Sequence, residues 1–131
     1  MDTSSVLSRY YDCLAARDTA GLRALLADDI VVTYYAQPDQ LPWAGTFHGH
    51  DGFDTFLGLV SEHVSIVDAK RLEPIISEHH AVVRTTGVWK AHASGRLIEG
   101  GMINVFAMSD SKITSYEVWA DTAAFVTGLA N

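Results

Sequence analysis

A chain of 131 residues is long enough to close one hydrophobic core and too short for two, and its 48% hydrophobic and 19% charged residues match an ordinary globular protein. A formal net charge of -7, with nine Lys and Arg spread along the chain, argues against a nucleic-acid surface, which needs clustered cations to displace counterions from phosphates; it also disfavours an anionic ligand more than a neutral or aromatic one. No apolar run approaches the roughly 20 residues that span a bilayer, and MDTSSV lacks the basic start and apolar centre of a signal peptide, so the expectation is a cytoplasmic protein of one domain over residues 1–131, in which Cys13 has no internal disulfide partner.

Thr3 or Ser4 can cap a first helix in which Val6, Tyr10 and Cys13 form one stripe, with Leu7, Tyr11 and Leu14 beside it. Asp18 can cap a second helix, AGLRALLA. The β-branched run IVVTYYA then predicts a strand. It leads into QPDQLPWAG, a loop with two of the three prolines and no strong periodicity, expected to run over the surface. Asp51 can cap a third helix, whose Phe53, Phe56, Leu57 and Val60 fall at helical spacing. Strand character follows almost to the end: SIVDAKRLEPIISE, interrupted by Pro74, then HHAVVRTTGVWKAHA, RLIEGGMINVFAMS and KITSYEVWA, the last three joined by turns at Ser94-Gly95 and Asp110-Ser111. Asp121 can cap a closing helix. The order predicts an α+β fold: a curved antiparallel sheet wrapped around three N-terminal helices as a cone, with a short C-terminal helix.

Three strings, SRYYDCLAARDTAGLRALLADDIVV, PWAGTFHGHDGFDTFL and SDSKITSYEVWADTAAF, resemble the nuclear transport factor 2-like superfamily and, within it, its SnoaL-like and ketosteroid isomerase-like branch. The resemblance spans nearly the whole chain. It implies a cone-shaped α+β barrel and leaves the reaction open, because one fold carries isomerases, cyclases, dehydratases, epoxide hydrolases and non-catalytic members. Aligned on ketosteroid isomerases, Tyr10 takes the place of the helix-one tyrosine of the oxyanion hole and Asn104 that of the second donor. Tyr34 falls where the base stands, and a tyrosine near its usual pKa of ~10 is a poor proton acceptor at neutral pH. His50 or Asp39, in the loop beyond that strand, is the expected proton carrier; Asp51 has the competing task of capping.

Strand parity extends this set. If Asn104 faces the cone, so do Met102, Phe106 and Met108. The resemblance turns Thr85, Gly87 and Trp89 inward from one neighbouring strand, Tyr116 and Val118 from the other, and Trp43 stands in the loop at the mouth. Parity puts Glu99 outside, unless Gly100-Gly101 makes a bulge. The expected substrate-binding set is thus Trp43, Trp89, Met102, Phe106, Tyr116 and Val118. His48 and His50 stand one residue apart, but no further ligand recurs at diagnostic spacing, and no metal is expected. The functional expectation is a small cofactor-independent cyclase, isomerase or dehydratase acting on a neutral, largely apolar carbonyl compound. The alternative is a non-catalytic ligand-binding or dimerisation module of the same fold. A homodimer is expected through the convex sheet face, at Val88, Ile103 and Val105.

Overall fold

The computed structural model describes residues 1–130. Helices α1 (Thr3–Ala16) and α2 (Thr19–Leu25) precede strand β1 (Leu26–Tyr34); β2 (Gly45–His48) runs straight into α3 (Gly49–His63); five strands follow, β3 (Val64–Arg71), β4 (Ile75–Ile76), β5 (His80–Ala91), β6 (Leu97–Ser109) and β7 (Lys112–Ala120), and α4 (Thr122–Leu129) closes the chain. The seven strands form one curved sheet in the order β2-β1-β7-β6-β5-β3, with β4 beside β5. Every pairing is antiparallel except β1 with β7. That pair is parallel because the chain leaves β1, travels the whole meander and returns beside it, so the sheet is mixed where an antiparallel one was expected.

Local chemistry accounts for most element ends. Asp18 and Asp121 cap α2 and α4 by accepting from the N–H groups of Gly21 and Ala124. The first helix is capped by Asp2, which accepts from Ser5 at 2.8 Å, rather than by Thr3 or Ser4. Asp51 does not cap α3: His48 is the capping residue and makes no side-chain bond there, while Asp51 lies 3.4 Å from Arg23. The missed strand is GTFH, four residues paired with Val31–Tyr34, too short for a period-two signal.

The core lies between the concave face of the sheet and the helices. Ile30, Val32 and Tyr34 alternate inward along β1, and Tyr34, Val118, Asn104 and Val83 form one row across four strands. Against this face pack Val6, Tyr10 and Cys13 of α1 and Phe53 and Phe56 of α3. α4 plugs one end: Phe125 meets Trp89 and Trp43 edge-on, at ring separations of 5.2 and 6.1 Å, contacts worth about 0.5–1.5 kcal/mol each beyond their burial. The loop between β1 and β2 does not stay on the surface throughout, since Leu41 and Trp43 turn inward and are buried.

Register decides the bulges. Gly100 and Gly101 pair with Gly87 and Thr86 without interruption, so Glu99 keeps its outward parity and is exposed. The irregularities lie instead in the β1–β7 pairing between Leu26 and Val31, in β3 between Ile66 and Asp68, and in the β6–β7 pairing between Ala107 and Met108. Among the described residues no helix is long and apolar enough to cross a membrane.

Candidate functional site

A cavity of about 210 Å³ opens between the sheet, α1, α3 and α4. Its wall is mostly apolar: Trp43, Phe56, Trp89, Met102, Val118 and Phe125 account for much of it. Into it converge the polar ends of Tyr34, Thr85, Asn104 and Tyr116, with Tyr11 and Arg71 at one side. A wider cleft of about 770 Å³ runs along Tyr35, Gln37 and Thr127, but it is more open and lacks such a convergence of buried polar groups; small-molecule sites are marked by a few fixed polar groups in an apolar enclosure.

Tyr116 is the hub of the polar groups. The Asn104 amide Nδ2 donates to its hydroxyl at 2.9 Å. The Tyr10 ring packs against the Tyr116 ring at a separation of 6.1 Å, behind the cavity. With one acceptor position taken by Asn104, the Tyr116 hydroxyl still has its own proton to donate. Burial dominates the balance for both tyrosines and pushes each pKa above the ordinary 10.0, so both hydroxyls keep their protons at neutral pH.

Tyr34 supplies a second donor. It sits diagonally across from Tyr116, because Val32 pairs with Tyr116 and Tyr34 with Val118. Its hydroxyl is buried and without a hydrogen-bond partner among the described residues. Burial raises its pKa, and the Trp43 indole, close by but outside hydrogen-bond geometry, partly offsets the rise. An orphaned buried hydroxyl costs about 1–3 kcal/mol, a penalty that a ligand oxygen beside it would remove.

Of the sequence candidates, Tyr34, Asn104, Trp43, Trp89, Met102, Tyr116 and Val118 meet in the cavity. Tyr10 and Phe106 stand one layer behind, with Phe106 packed against the Tyr10 and Tyr116 rings at 5.2 and 5.0 Å. His50 and Asp39 are elsewhere. The His50 Nε2 lies 3.0 Å from the Leu26 carbonyl and 3.8 Å from Asp28, and Asp39 borders a separate surface depression with Pro38 and His63. No carboxylate, imidazole or thiol is among the residues that line the cavity. Sequence reasoning missed Arg71 as a candidate and gave Tyr11 no role, although its place on the stripe beside Tyr10 was a signal.

The family model for SnoaL-like domains matches residues 7–116. A comparison with curated proteins finds no match. Among solved structures, an NTF2-like protein from Burkholderia xenovorans is 23% identical, with 97% of this chain and 95% of that one covered and a TM-score of 0.88. A protein from Mesorhizobium loti described as a SnoaL-like polyketide cyclase is 16% identical over 91% of this chain and 99% of that one, with a TM-score of 0.73. TerC, crystallised with polyporic acid, is 22% identical over 95% of both chains, with a TM-score of 0.78. At these identities the likeness is one of fold.

Proposed function

This chain belongs to the family of SnoaL-like domains, and on that premise we propose that its cone binds a largely apolar carbonyl compound and polarises the carbonyl oxygen, without a cofactor, as a cyclase, isomerase or dehydratase does. The observation that carries this reading is the pair of tyrosine hydroxyls, Tyr34 without a partner among the described residues and Tyr116 held by Asn104, both on residues that line an apolar cavity. Two neutral donors fixed before the ligand arrives stabilise negative charge as it develops on an oxygen, and they do so best where water is excluded. Asn104 acts through Tyr116, since its amide holds the hydroxyl in place. A SnoaL-like polyketide cyclase and a protein crystallised with polyporic acid among the structural neighbours support an organic ligand of this size and kind.

Of the three reactions, cyclisation asks least of this wall. Isomerisation and dehydration need a base held within hydrogen-bond reach of the departing proton, and the lining has no carboxylate or imidazole. A ligand that arrives as its enol needs no such base: the enol carbon attacks the polarised carbonyl, the carbonyl π bond opens to an alkoxide as the carbon–carbon bond forms, and the enol O–H proton passes to that alkoxide, so the cavity has only to hold the reacting ends together and polarise the carbonyl. The same lack of a base favours a second reading, in which the cone binds its carbonyl ligand without turning it over.

Mass spectrometry of small molecules retained by the purified protein tests both readings. An apolar or aromatic carbonyl compound is expected, and its conversion on incubation separates catalyst from carrier. Asn104→Leu and Tyr34→Phe should each weaken its binding about tenfold, the effect of one lost hydrogen bond of ~1.4 kcal/mol, with tryptophan fluorescence from Trp43 and Trp89 as the readout. If both variants bind like the parent, the donors named here have no role.

We also propose that two copies pair through the convex face of the sheet. Ile103 and Trp119, opposite each other on β6 and β7, are 41% and 47% exposed, and Tyr35, also 41% exposed, stacks on Trp119 at 3.7 Å. Light scattering should give about twice 14.3 kDa, and Ile103→Lys should return the mass to that of one chain, since an unpaired charge at an apolar interface opposes association. A parent protein of monomer mass would remove this pairing.

A further inference from the structure

Arg71 is the one charged side chain among those that line the cavity. It reaches that position through the bulge in β3. Ile66 faces inward opposite Trp89, and unbroken alternation would turn Asp68 and Lys70 inward after it. The extra residue at the bulge reverses the parity: Asp68 pairs with Val88 on the outer face, and Ala69 and Arg71 pair with Gly87 and Thr85 on the inner one. Thr85 in turn pairs with Met102, so Arg71, Thr85 and Met102 form a row along one side of the cavity.

The guanidinium is held but not neutralised. Its carbon lies 4.1 Å from the centre of the Tyr11 ring, a cation–π contact that fixes the head group at the edge of the cavity. Arg71 forms no ion pair with a carboxylate among the described residues, although Asp12 borders the groove on its outer side. The other polar groups of the lining are hydroxyls, an amide and two indoles, with no negative charge among them. In spite of the acidity of the whole chain, the one charge that borders the cavity is therefore positive, at an exposed position on the edge strand where solvent partly screens it.

Resting on the reading of this cavity as a ligand site, we infer that its ligand carries an ionised oxygen, as a carboxylate, enolate or hydroxyquinone does, which Arg71 binds at one side of the cavity while a carbonyl of the same molecule meets Tyr34 and Tyr116. A guanidinium suits this task because its planar fork offers parallel N–H donors to adjacent oxygens and stays charged at any physiological pH. Tyr11 adds a donor beside it: burial pushes its pKa up to about 12 against the opposing effect of Arg71, so its proton is in place. The sequence-level preference for a neutral ligand followed from net charge, and it gives way to the local charge.

Calorimetric titration of the whole protein with lawsone, a hydroxynaphthoquinone that is an anion at neutral pH, and with its neutral methyl ether tests the inference. The parent protein should bind the anion about tenfold more tightly than the ether, the effect of one charge-assisted hydrogen bond. Arg71→Gln should remove that preference and leave the affinity for the ether unchanged, and Arg71→Lys should keep part of it. The preference should also shrink with added salt. An Arg71→Gln variant that still prefers the anion, or a parent protein that binds both probes alike, overturns the inference and leaves the cavity reading intact. A parent protein that binds neither overturns both.

Discussion

Tyr116→Phe is expected to lower turnover of the carbonyl substrate about a hundredfold, the usual effect of removing one oxyanion donor, and to destabilise the fold by about 1–3 kcal/mol. The ring stays, so its packing with Phe106, Tyr10 and Phe53 is kept, and the loss belongs to the hydroxyl alone. Without that oxygen, the Asn104 Nδ2 loses its acceptor in a buried place. Tyr10→Phe should do less, because Asn104 still donates to Tyr116 in that variant. Urea unfolding of the two variants beside the parent measures the difference, and equal midpoints for Tyr116→Phe and the parent would show that no bond is lost there.

The same substitution changes the response to alkali. Burial raises the pKa of Tyr10, Tyr11, Tyr34 and Tyr116 in the folded chain, whereas in the unfolded chain each titrates near 10.0. Above that pH the unfolded state releases protons that the folded state retains, so the stability present below it declines as pH rises toward the folded values. Tyr116→Phe removes one of the four groups, and its stability should fall less steeply above pH 10.0 than that of the parent.

Gly87→Ala should destabilise the chain by about 1–3 kcal/mol and weaken anion binding selectively. A Cβ at position 87 would stand 2.6 Å from the Asp68 carbonyl oxygen and 3.3 Å from the Ala69 Cα, backbone atoms that move only if β3 moves. β3 lies at the edge of the sheet and can shift outward, but the shift carries Arg71 away from the cavity. Affinity for lawsone should then drop relative to its ether. Gly101→Ala is the control, since its Cβ would meet the nearest atom, the Thr85 carbonyl oxygen, at an ordinary 3.5 Å, and both stability and binding should stay close to the parent. Equal midpoints for the two variants would show that β3 does not need the close approach at Gly87.

The features that could be read from the chain are those set by neighbours in sequence. Asp18 and Asp121 cap helices because the carboxylate and the N–H groups it accepts from are a few residues apart, and the Asp110-Ser111 turn, with both φ angles positive, lies between two strands whose alternation is plain. Given Asn104 inward, parity turned Met102 inward with it, and the resemblance turned Tyr116 and Val118 inward; the unbroken register of β6 with β7 over those residues puts them on one face. Rotation of a helix against a sheet has no such local source. Tyr10 and Tyr11 are adjacent, about 100° apart on α1, and the packing of α1 on Phe106 placed Tyr11 at the cavity and Tyr10 behind it. The same limit applies to His50 and Asp39, whose side chains go where α3 and the loop before β2 dock. It applies most to Arg71, since one bulged residue in β3 exchanges Asp68 and Lys70 for Ala69 and Arg71 on the inner face. That bulge depends on how β3 pairs with β5 across a glycine, a contact between segments some twenty residues apart that periodicity along the chain does not encode.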